Sequence, residues 1–281
     1  MAWGELRRTP MVAIPMVILL IFVVVAFTAH WTAPYGPEDG DLIDQFIKPA
    51  WLEGGSPAHI FGTDRFGRDI FSRIMHGARV SLVAAVTVIA LAATAGTALG
   101  ILSGYLGGMA DAVVMRVVDL MMAIPPILMA LVLVVILGPS FTNVILVIAL
   151  LMWSRFARVI RGEVLSLKQR DFVALAKVAG CSQASIMARH IFPNIMNSLL
   201  VMATFQIGFV ILLEASLSYL GVGIPPPTPA WGVMVSDGRD YIGSAWWLSL
   251  FPGVAILLVV IAVNLLGDWL RDRLDPRMRQ V

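Results

Sequence analysis

Cysteine and charge are both scarce in this sequence. Its 281 residues include a single cysteine, Cys181, which cannot form an internal disulfide. The four histidines are dispersed along the chain and have no second sulfur, so the spacing of a structural zinc site is absent. Only 14% of the residues are charged, against roughly a quarter in ordinary soluble domains. These shortages exclude a disulfide framework, a zinc-stabilised fold and a typical soluble domain.

Recognisable catalytic and nucleotide-binding motifs are also missing. The sequence contains no Gly-x-x-x-x-Gly-Lys-Ser/Thr loop, no Gly-x-Ser-x-Gly elbow and no His-Glu-x-x-His pair. We therefore expect a non-catalytic chain that itself binds no metal and no nucleotide cofactor. The formal net charge of +2 gives the chain no overall basic character, which argues against nucleic acid as a partner.

Hydrophobic residues are abundant, at 59% of the chain with a mean hydropathy of +0.86. Five windows contain no Lys, Arg, Asp or Glu and can each hold a membrane helix of about 20 residues; they are 9–37, 80–110, 120–154, 190–213 and 241–267. The turn signal Gly138-Pro139-Ser140 divides the third window into two spans. We predict an all-α integral membrane protein with six transmembrane helices, near residues 11–30, 80–103, 112–137, 141–159, 196–220 and 248–269.

The distribution of basic residues predicts the orientation of these spans. With the N-terminus inside, fourteen of the twenty basic residues fall on the cytoplasmic side, where Lys and Arg are retained. Both termini are therefore expected in the cytoplasm. We divide the chain into a first helix with an extracytoplasmic loop, residues 1–79, and a five-helix core, residues 80–281, with a cytoplasmic loop at 160–195. The first helix is expected to stay uncleaved, because its apolar run from Met11 to Ala29 is longer than a signal-peptide core.

Small residues recur every four positions in the second span, at Ala92, Gly96, Gly100 and Gly104. Such a stripe lets another helix approach closely. We predict that it is a helix-packing face.

The cytoplasmic loop contains signals for two short helices. Asp171 is predicted to N-cap a helix that runs to about Ala179, and Gly180 to end it in a left-handed C-cap. Ser182 is predicted to cap a second short helix that ends before Pro193, which then lies in the first turn of the fifth span. We call residues 171–191 the elbow.

The elbow contains more apolar residues than a freely solvated surface would hold; they are Phe172, Val173, Leu175, Ala176, Val178 and Ala179. We expect them to pack against a cytoplasmic partner. The alternative is that they pack only against the helix ends of this protein. Because the elbow joins the fifth span closely, its movement should be transmitted to that span.

Two acidic residues lie in or near membrane spans, where uncompensated charge is costly. Asp119 follows Arg116 by three residues, so the two are expected to form a local ion pair. Glu214, with Ser218 one turn later, either faces a polar pathway or stabilises a helix contact by hydrogen bonding. The residues leave these two roles for Glu214 open.

Four stretches of the chain carry motifs in a fixed order. They are Phe61-Gly-Thr-Asp64-Arg-Phe-Gly67-Arg68-Asp69; Asp171-Phe-Val-Ala-Leu-Ala-Lys-Val-Ala-Gly180 continuing to Ile186 and Arg189-His-Ile-Phe-Pro193-Asn194; Glu214-Ala-Ser-Leu-Ser-Tyr-Leu-Gly221-Val-Gly223 with Pro225-Pro226 and Trp231-Gly232; and Asn264-Leu-Leu-Gly267-Asp268-Trp-Leu-Arg271-Asp272-Arg-Leu-Asp275-Pro276-Arg277. The chain resembles, through these stretches, permeases of bacterial ATP-binding cassette importers in the dipeptide/oligopeptide/nickel branch, specifically the second, C-type subunit. The Glu-Ala-Ala of the family's loop reads Ala174-Leu175-Ala176 here, so this chain departs from the family at the glutamate.

The resemblance implies a type I importer permease fold in the bacterial inner membrane. Such a subunit forms half of a translocation pore with a homologous second permease, and it works with two cytoplasmic ATPases and an extracytoplasmic substrate-binding protein. ATP and Mg would be bound by the partner ATPases. The elbow would be the coupling helix, and the residues implied in coupling are Asp171, Phe172, Val173, Ala174, Leu175, Ala176, Gly180, Ser182, Ile186, Arg189, His190, Pro193 and Asn194.

The expected substrates are di- and oligopeptides. Nickel, glutathione and other small solutes are alternatives, because similar permeases import them. A stand-alone secondary transporter is a rival of another class. The lack of obvious inverted repeats and the few intramembrane carboxylates argue against that rival.

Overall fold

The computed structural model describes residues 10–274, and ten α-helices account for most of them. Their bounds are α1 Pro10–Thr32, α2 Ile70–Leu106, α3 Gly108–Ala123, α4 Pro126–Leu137, α5 Phe141–Leu167, α6 Asp171–Val178, α7 Gln183–Ser185, α8 Phe192–Tyr219, α9 Trp231–Gly238 and α10 Trp247–Leu274. A π-helical turn, Ile186–Ile191, joins α7 to α8 without a break, and 3-10 turns occur at Leu42–Asp44 and Arg239–Tyr241. No strand occurs between residues 10 and 274, which confirms the all-α prediction.

Five helical runs are long and apolar enough to cross a membrane: α1, α2, α5, the continuous run Gln183–Tyr219, and α10. The sixth predicted span, 112–137, is instead two helices, α3 and α4, which meet at 92°. The prediction of one straight span is therefore wrong, although six spans result when the bent pair is counted as one. The bend has a local cause. Ile124, which precedes Pro125-Pro126, is extended at φ −96° and ψ 133°, because a following proline disfavours the helical conformation.

The second span begins at Ile70, about ten residues before its predicted start at 80. Asp69 is its N-cap, and the carboxylate accepts hydrogen bonds from the Ser72 N–H at 2.8 Å and the Ser72 hydroxyl at 2.7 Å. The predicted start followed from the uncharged window 80–110, so Arg73 fell in the predicted outer loop. Its side chain is only 2% exposed and its guanidinium donates to the Pro37 carbonyl at 2.7 Å. The division at 79/80 therefore lies inside α2.

The stripe of small residues on α2 packs against α5, as predicted. A β-carbon added to Gly96 would lie 2.4 Å from the Trp153 carbonyl oxygen, and one added to Gly100 would lie 2.8 Å from that of Ala157. Only residues without a side chain allow this approach. The pair α2 and α5 forms the centre of the bundle, and α1, α8 and α10 also contact α2.

Polar side chains and connecting segments gather at two ends of the bundle. At one end, which we call the outer-loop end, Trp247 at the start of α10 donates from Nε1 to the Thr63 carbonyl at 3.2 Å. At the other, the elbow end, Lys168 after α5 donates from Nζ to the Tyr105 carbonyl at 2.5 Å. Since α1 leads into the outer loop and α10 starts beside it, Pro10 and Leu274 both lie toward the elbow end.

Some residues of the sequence predictions lie outside the described residues. They are the expected cytoplasmic residues Arg7, Arg8, Arg277 and Arg279, and the motif Asp275-Pro276-Arg277.

The loop predicted at 160–195 is much shorter than expected. Helix α5 continues to Leu167, and the next continuous helical run begins at Gln183. Residues 168–182, which include α6, are all that lies between them. The second half of the elbow, from Gln183 onward, and the fifth span are thus one continuous helical run.

Candidate functional site

The first helix of the elbow, α6, begins one residue earlier than predicted. Arg170, extended at φ −77° and ψ 149°, is the N-cap residue, and it makes no side-chain capping bond. Asp171 is the first helical residue, so its prediction as the N-cap is wrong. Its carboxylate lies in the first turn, where negative charge interacts favourably with the helix dipole.

Gly180 ends α6 in a left-handed conformation with φ +79°, as predicted. The Gly180 N–H bonds to the Lys177 carbonyl and the Cys181 N–H to the Ala176 carbonyl, both at 3.0 Å. These two bonds form a Schellman motif, which satisfies carbonyls at the helix end. Ser182 then caps α7, as predicted, by accepting from the Ser185 N–H at 3.3 Å.

The second elbow helix does not end before Pro193. Through the π-helical turn it continues into α8, so the predicted end is wrong and the connection to the fifth span is more direct than expected. Pro193 has no N–H to donate. Beside it, the Asn194 side chain donates from Nδ2 to the His190 carbonyl at 2.6 Å. The wider π turn accommodates the proline without interrupting the helical run.

The elbow has an inward and an outward apolar face. Val173, Ala176 and Ile186 are buried, and they pack against the ends of other helices. Those neighbours are Ile101, Tyr105, Ile160, Val164, Ile191 and Ile195, with Phe172 partly buried beside them. Leu175 and Val178 point outward and are 67% and 87% exposed. Part of the elbow therefore packs on this protein's own helix ends, and these helices leave Leu175 and Val178 exposed. The expected contact with a cytoplasmic partner stays a prediction.

Tyr105, at the end of α2, attaches the elbow to the bundle. Its ring centroid lies 5.6 Å from Nζ of Lys168 and 5.8 Å from Nζ of Lys177, one lysine on each side of the start of α6. Among the other predicted elbow residues, Ala174 and Arg189 are exposed and His190 is half-buried.

Charged residues on α5 pair with acidic residues on α3. Arg158 bonds to Asp119, and Arg161 makes two bonds of 2.5 Å to Asp111. The predicted local pair of Asp119 with Arg116 is therefore wrong. An ion pair within one helix stabilises by only about 0.2–0.5 kcal/mol, and the packing of α3 beside α5 offers Asp119 a different partner.

A groove with a polar lining, which we call the polar groove, runs between α5, α8 and α10. Its volume is about 670 Å³, and its polar lining residues are Asn194, Asn197, Ser198, Gln206 and Arg271. Apolar residues complete it; they are Val159, Val201, Met202, Phe205 and Leu274. Amide side chains on a membrane helix are functional candidates because their burial in lipid is costly. From the sequence, Asn194 was identified only as a coupling residue, and the groove was not predicted. The i, i+3, i+4 spacing of Asn194, Asn197 and Ser198 indicates a polar face on this helix and could have revealed it.

Glu214 lies away from the polar groove. It is 3% exposed, and the Ser218 hydroxyl donates to its carboxylate at 2.7 Å. Helix α9 packs close to this turn of α8, since a β-carbon on Gly232 would lie 2.5 Å from the Ala215 α-carbon. This position favours the helix-contact role over the pathway role for Glu214.

The outer-loop motif folds around one carboxylate. Asp64 accepts hydrogen bonds from the N–H groups of Phe66 and Arg68, and from Nε of Arg68 at 2.7 Å. Asp237, which follows in the sequence by more than 170 residues, lies 3.5 Å from Arg65. Burial raises the pKa of Asp237, and the surrounding arginines oppose that shift. The loop is therefore joined to α9 by charge as well as by packing.

Comparisons with known proteins agree with this architecture. Residues 96–280 match the family described as binding-protein-dependent transport system inner membrane component, and residues 1–49 match the N-terminal transmembrane domain of oligopeptide transport permease C. The chain is 44% identical over 278 residues to the dipeptide transport system permease protein of Escherichia coli strain K12, covering 99% of this chain and 93% of that one. It is 40% identical over 278 residues to the dipeptide transport system permease protein of Haemophilus influenzae, covering 99% and 94%. It is also 40% identical over 264 residues to the di/tripeptide transport system permease protein of Pseudomonas aeruginosa, covering 94% and 87%.

Proposed function

The chain belongs to the family of binding-protein-dependent transport system inner membrane components, and we propose that it forms half of the translocation pore of an ATP-driven importer of di- and oligopeptides. Its apolar helices and its family make it a multi-pass inner membrane protein. The relatives described above, which are named for dipeptide or di/tripeptide transport, support the peptide substrate.

The partners of this subunit are proposed to be a homologous second permease, two cytoplasmic ATPases and an extracytoplasmic substrate-binding protein. The outward face of the elbow carries this proposal, because Leu175 and Val178 present exposed apolar surface beside a rigid helix junction. The sequence has no nucleotide-binding loop of its own, so ATP and Mg would be bound by the ATPases. In this proposal the chain is a non-catalytic subunit without a cofactor.

The continuous helix from the elbow into the membrane suggests how movement is transmitted. When ATP binding draws the ATPases together, the elbow moves with the ATPase that it contacts. Since α7, the π turn and α8 form one run from Gln183 to Tyr219, a shift at Ser182 displaces the polar residues of α8 as well. The polar groove would then alternate between the two sides of the membrane.

The test is uptake by cells that lack only this chain, with and without its restoration. Labelled dipeptide and labelled nickel are measured in parallel, and a strain that lacks a partner ATPase is the control. We expect dipeptide uptake to fall to the level of that control and to return on restoration, while nickel uptake stays constant. Loss of nickel uptake alone would overturn the peptide assignment while leaving the permease architecture intact.

A further inference from the structure

The polar groove follows α8 for most of the half that is nearer the elbow. Its lining extends from Asn194 to Gln206, which at about 1.5 Å per residue is a length of about 18 Å. Helices α8 and α10 lie side by side, because a β-carbon on Gly267 would be 3.2 Å from the Phe205 ring and one on Gly208 would be 3.2 Å from Oδ1 of Asn264. In this antiparallel register Arg271, one turn after Gly267, lies at the elbow-end mouth of the groove.

The arginines of this region divide into two groups. Arg158 and Arg161 are paired with carboxylates of α3. Arg271 is exposed and forms no ion pair among residues 10–274, although it lines the groove. Arg155, one turn before the lining residue Val159, lies 4.4 Å from the Phe209 ring centroid. A guanidinium without a carboxylate partner in an amide-lined groove is suited to bind an anionic group of a ligand.

A carboxylate lies on α5 one helical turn beyond the lining residue Val159, toward the elbow end of that helix. Glu163 follows the lining residue Val159 by one turn of α5, so both are on the same face of that helix. Its half-buried carboxylate interacts with the side chain of Ser198, which lines the groove. Within the described chain, Glu163 and Arg271 do not form an ion pair with each other. Two opposite charges thus stand at one groove mouth without neutralising each other.

This arrangement matches the chemistry of a free peptide. A dipeptide has an ammonium and a carboxylate separated by about 7 Å when extended, at about 3.3–3.6 Å per residue, and its amide both donates and accepts hydrogen bonds. We propose that the polar groove binds the termini of a zwitterionic peptide in transit, with Arg271 facing the carboxylate and Glu163 facing the ammonium. This inference rests on the proposed peptide import and adds a recognition step within the permease itself.

The test uses cysteine accessibility in the complete transporter, because the chain has one natural cysteine. In a Cys181→Ser background that retains dipeptide uptake, Asn197→Cys places a thiol in the polar groove. Leu200→Cys is the matched control, since Leu200 lies on the same helix but lines a separate, apolar groove of about 800 Å³ between α2 and α8. A water-soluble thiol reagent is applied to sealed membrane vesicles of each orientation. We expect Asn197→Cys to react about tenfold faster than Leu200→Cys, because only the polar groove admits water.

Protection of the introduced thiol from labelling by bound peptide then identifies the side chains that bind the two peptide termini. A free dipeptide should slow labelling of Asn197→Cys, and its C-terminal amide and its N-acetyl derivative should each be about tenfold less effective, as expected when a charge-assisted hydrogen bond is lost. Arg271→Gln should abolish the preference for the free carboxylate alone. Glu163→Gln should abolish the preference for the free ammonium alone. Gln206→Cys provides a second labelling site if Asn197→Cys reduces the amount of assembled complex.

Equal protection by the free and both blocked peptides, or labelling no faster than at Leu200→Cys, would overturn the inference. Dipeptide uptake by cells distinguishes failure of the groove assignment from failure of the proposed peptide import. If dipeptide uptake depends on this chain while protection shows no preference for free termini, the peptide function stands and the groove assignment fails. If the chain supports no dipeptide uptake, the proposed function itself fails.

Discussion

Gly180 determines how the elbow turns between its two helices. Its φ of +79° is strained for any residue with a side chain, while a β-carbon there would meet no atom within 4 Å. The cost of a substitution is therefore conformational rather than steric, about 1–2 kcal/mol, and greater for a β-branched residue.

We predict that Gly180→Val uncouples ATP hydrolysis from uptake, because the outward face of the elbow is displaced relative to α8. The matched control is Gly180→Asn, since asparagine tolerates the left-handed conformation. ATPase activity and dipeptide uptake of the reconstituted transporter are measured together. Normal uptake by Gly180→Val in a fully assembled complex would refute this role.

Glu214 is buried beside α9, and its carboxylate accepts a hydrogen bond from the Ser218 hydroxyl on its own helix. We predict that Glu214→Gln, which can still accept from Ser218, preserves both assembly and uptake. Glu214→Ala should reduce both in proportion, since it leaves a cavity and removes a buried acceptor, at a cost of about 1–3 kcal/mol. The measurements are the amount of assembled complex and the uptake per complex. Reduced uptake at an unchanged amount of complex would indicate a pathway role instead.

Helix α6 has a buried and an exposed apolar face, and substitutions can test the two separately. Leu175 on the outward face is 67% exposed, so a charge there should leave the folded chain intact. We predict that Leu175→Asp prevents co-purification of the ATPases with the permease. Leu42→Asp is the matched control, because Leu42 is 66% exposed at the outer-loop end. Retention of the ATPases by Leu175→Asp would exclude the outward face as their contact.

The α2–α5 contact depends on the absence of a β-carbon at Gly96. Gly96→Ala would place that atom 2.4 Å from a backbone oxygen of Trp153, so the helices must separate. We predict a loss of about 1–3 kcal/mol, as in other overpacked interiors. Gly162→Ala on α5 meets nothing within 4 Å and should gain about 0.5–1 kcal/mol from helix propensity. The measurement is the midpoint temperature of thermal inactivation of the purified complex for each variant. Equal midpoints for Gly96→Ala and Gly162→Ala would show that α2 and α5 can accommodate the added β-carbon without loss of stability.

At the scale of the whole molecule, the elbow, the start of α1 at Pro10 and the end of α10 at Leu274 lie at the same end of the bundle. Together with the distribution of basic residues, this predicts that both chain termini are cytoplasmic. Green fluorescent protein fused to either terminus should fluoresce. Alkaline phosphatase inserted after Leu42 should be active, because that enzyme requires the oxidising outer compartment. If green fluorescent protein inserted after Leu42 fluoresced and alkaline phosphatase inserted there were inactive, the topology would be the reverse of the one predicted.

Most elements were predictable because their signals are local. Apolar runs of about 20 residues require lipid wherever they occur, which identifies the spans without knowledge of their neighbours. The left-handed Gly180 and the capping Ser182 depend on a few adjacent residues. The bend at Pro125-Pro126 was equally local, and the single-span prediction gave the surrounding hydropathy more weight than the prolines.

Partners that are distant in sequence required the fold. Arg73 fell within the predicted outer loop, yet it is buried in α2, where the Pro37 carbonyl accepts a hydrogen bond from it. Asp119 pairs with Arg158, 39 residues away. Arg271 on α10 reaches the polar groove that Asn194 and Asn197 of α8 also line. Hydropathy and capping are properties of a short segment, whereas charge pairing and groove formation depend on which helices lie side by side. The membrane character and the elbow could therefore be inferred from the chain alone, and the polar groove became visible when three separate helices were brought together.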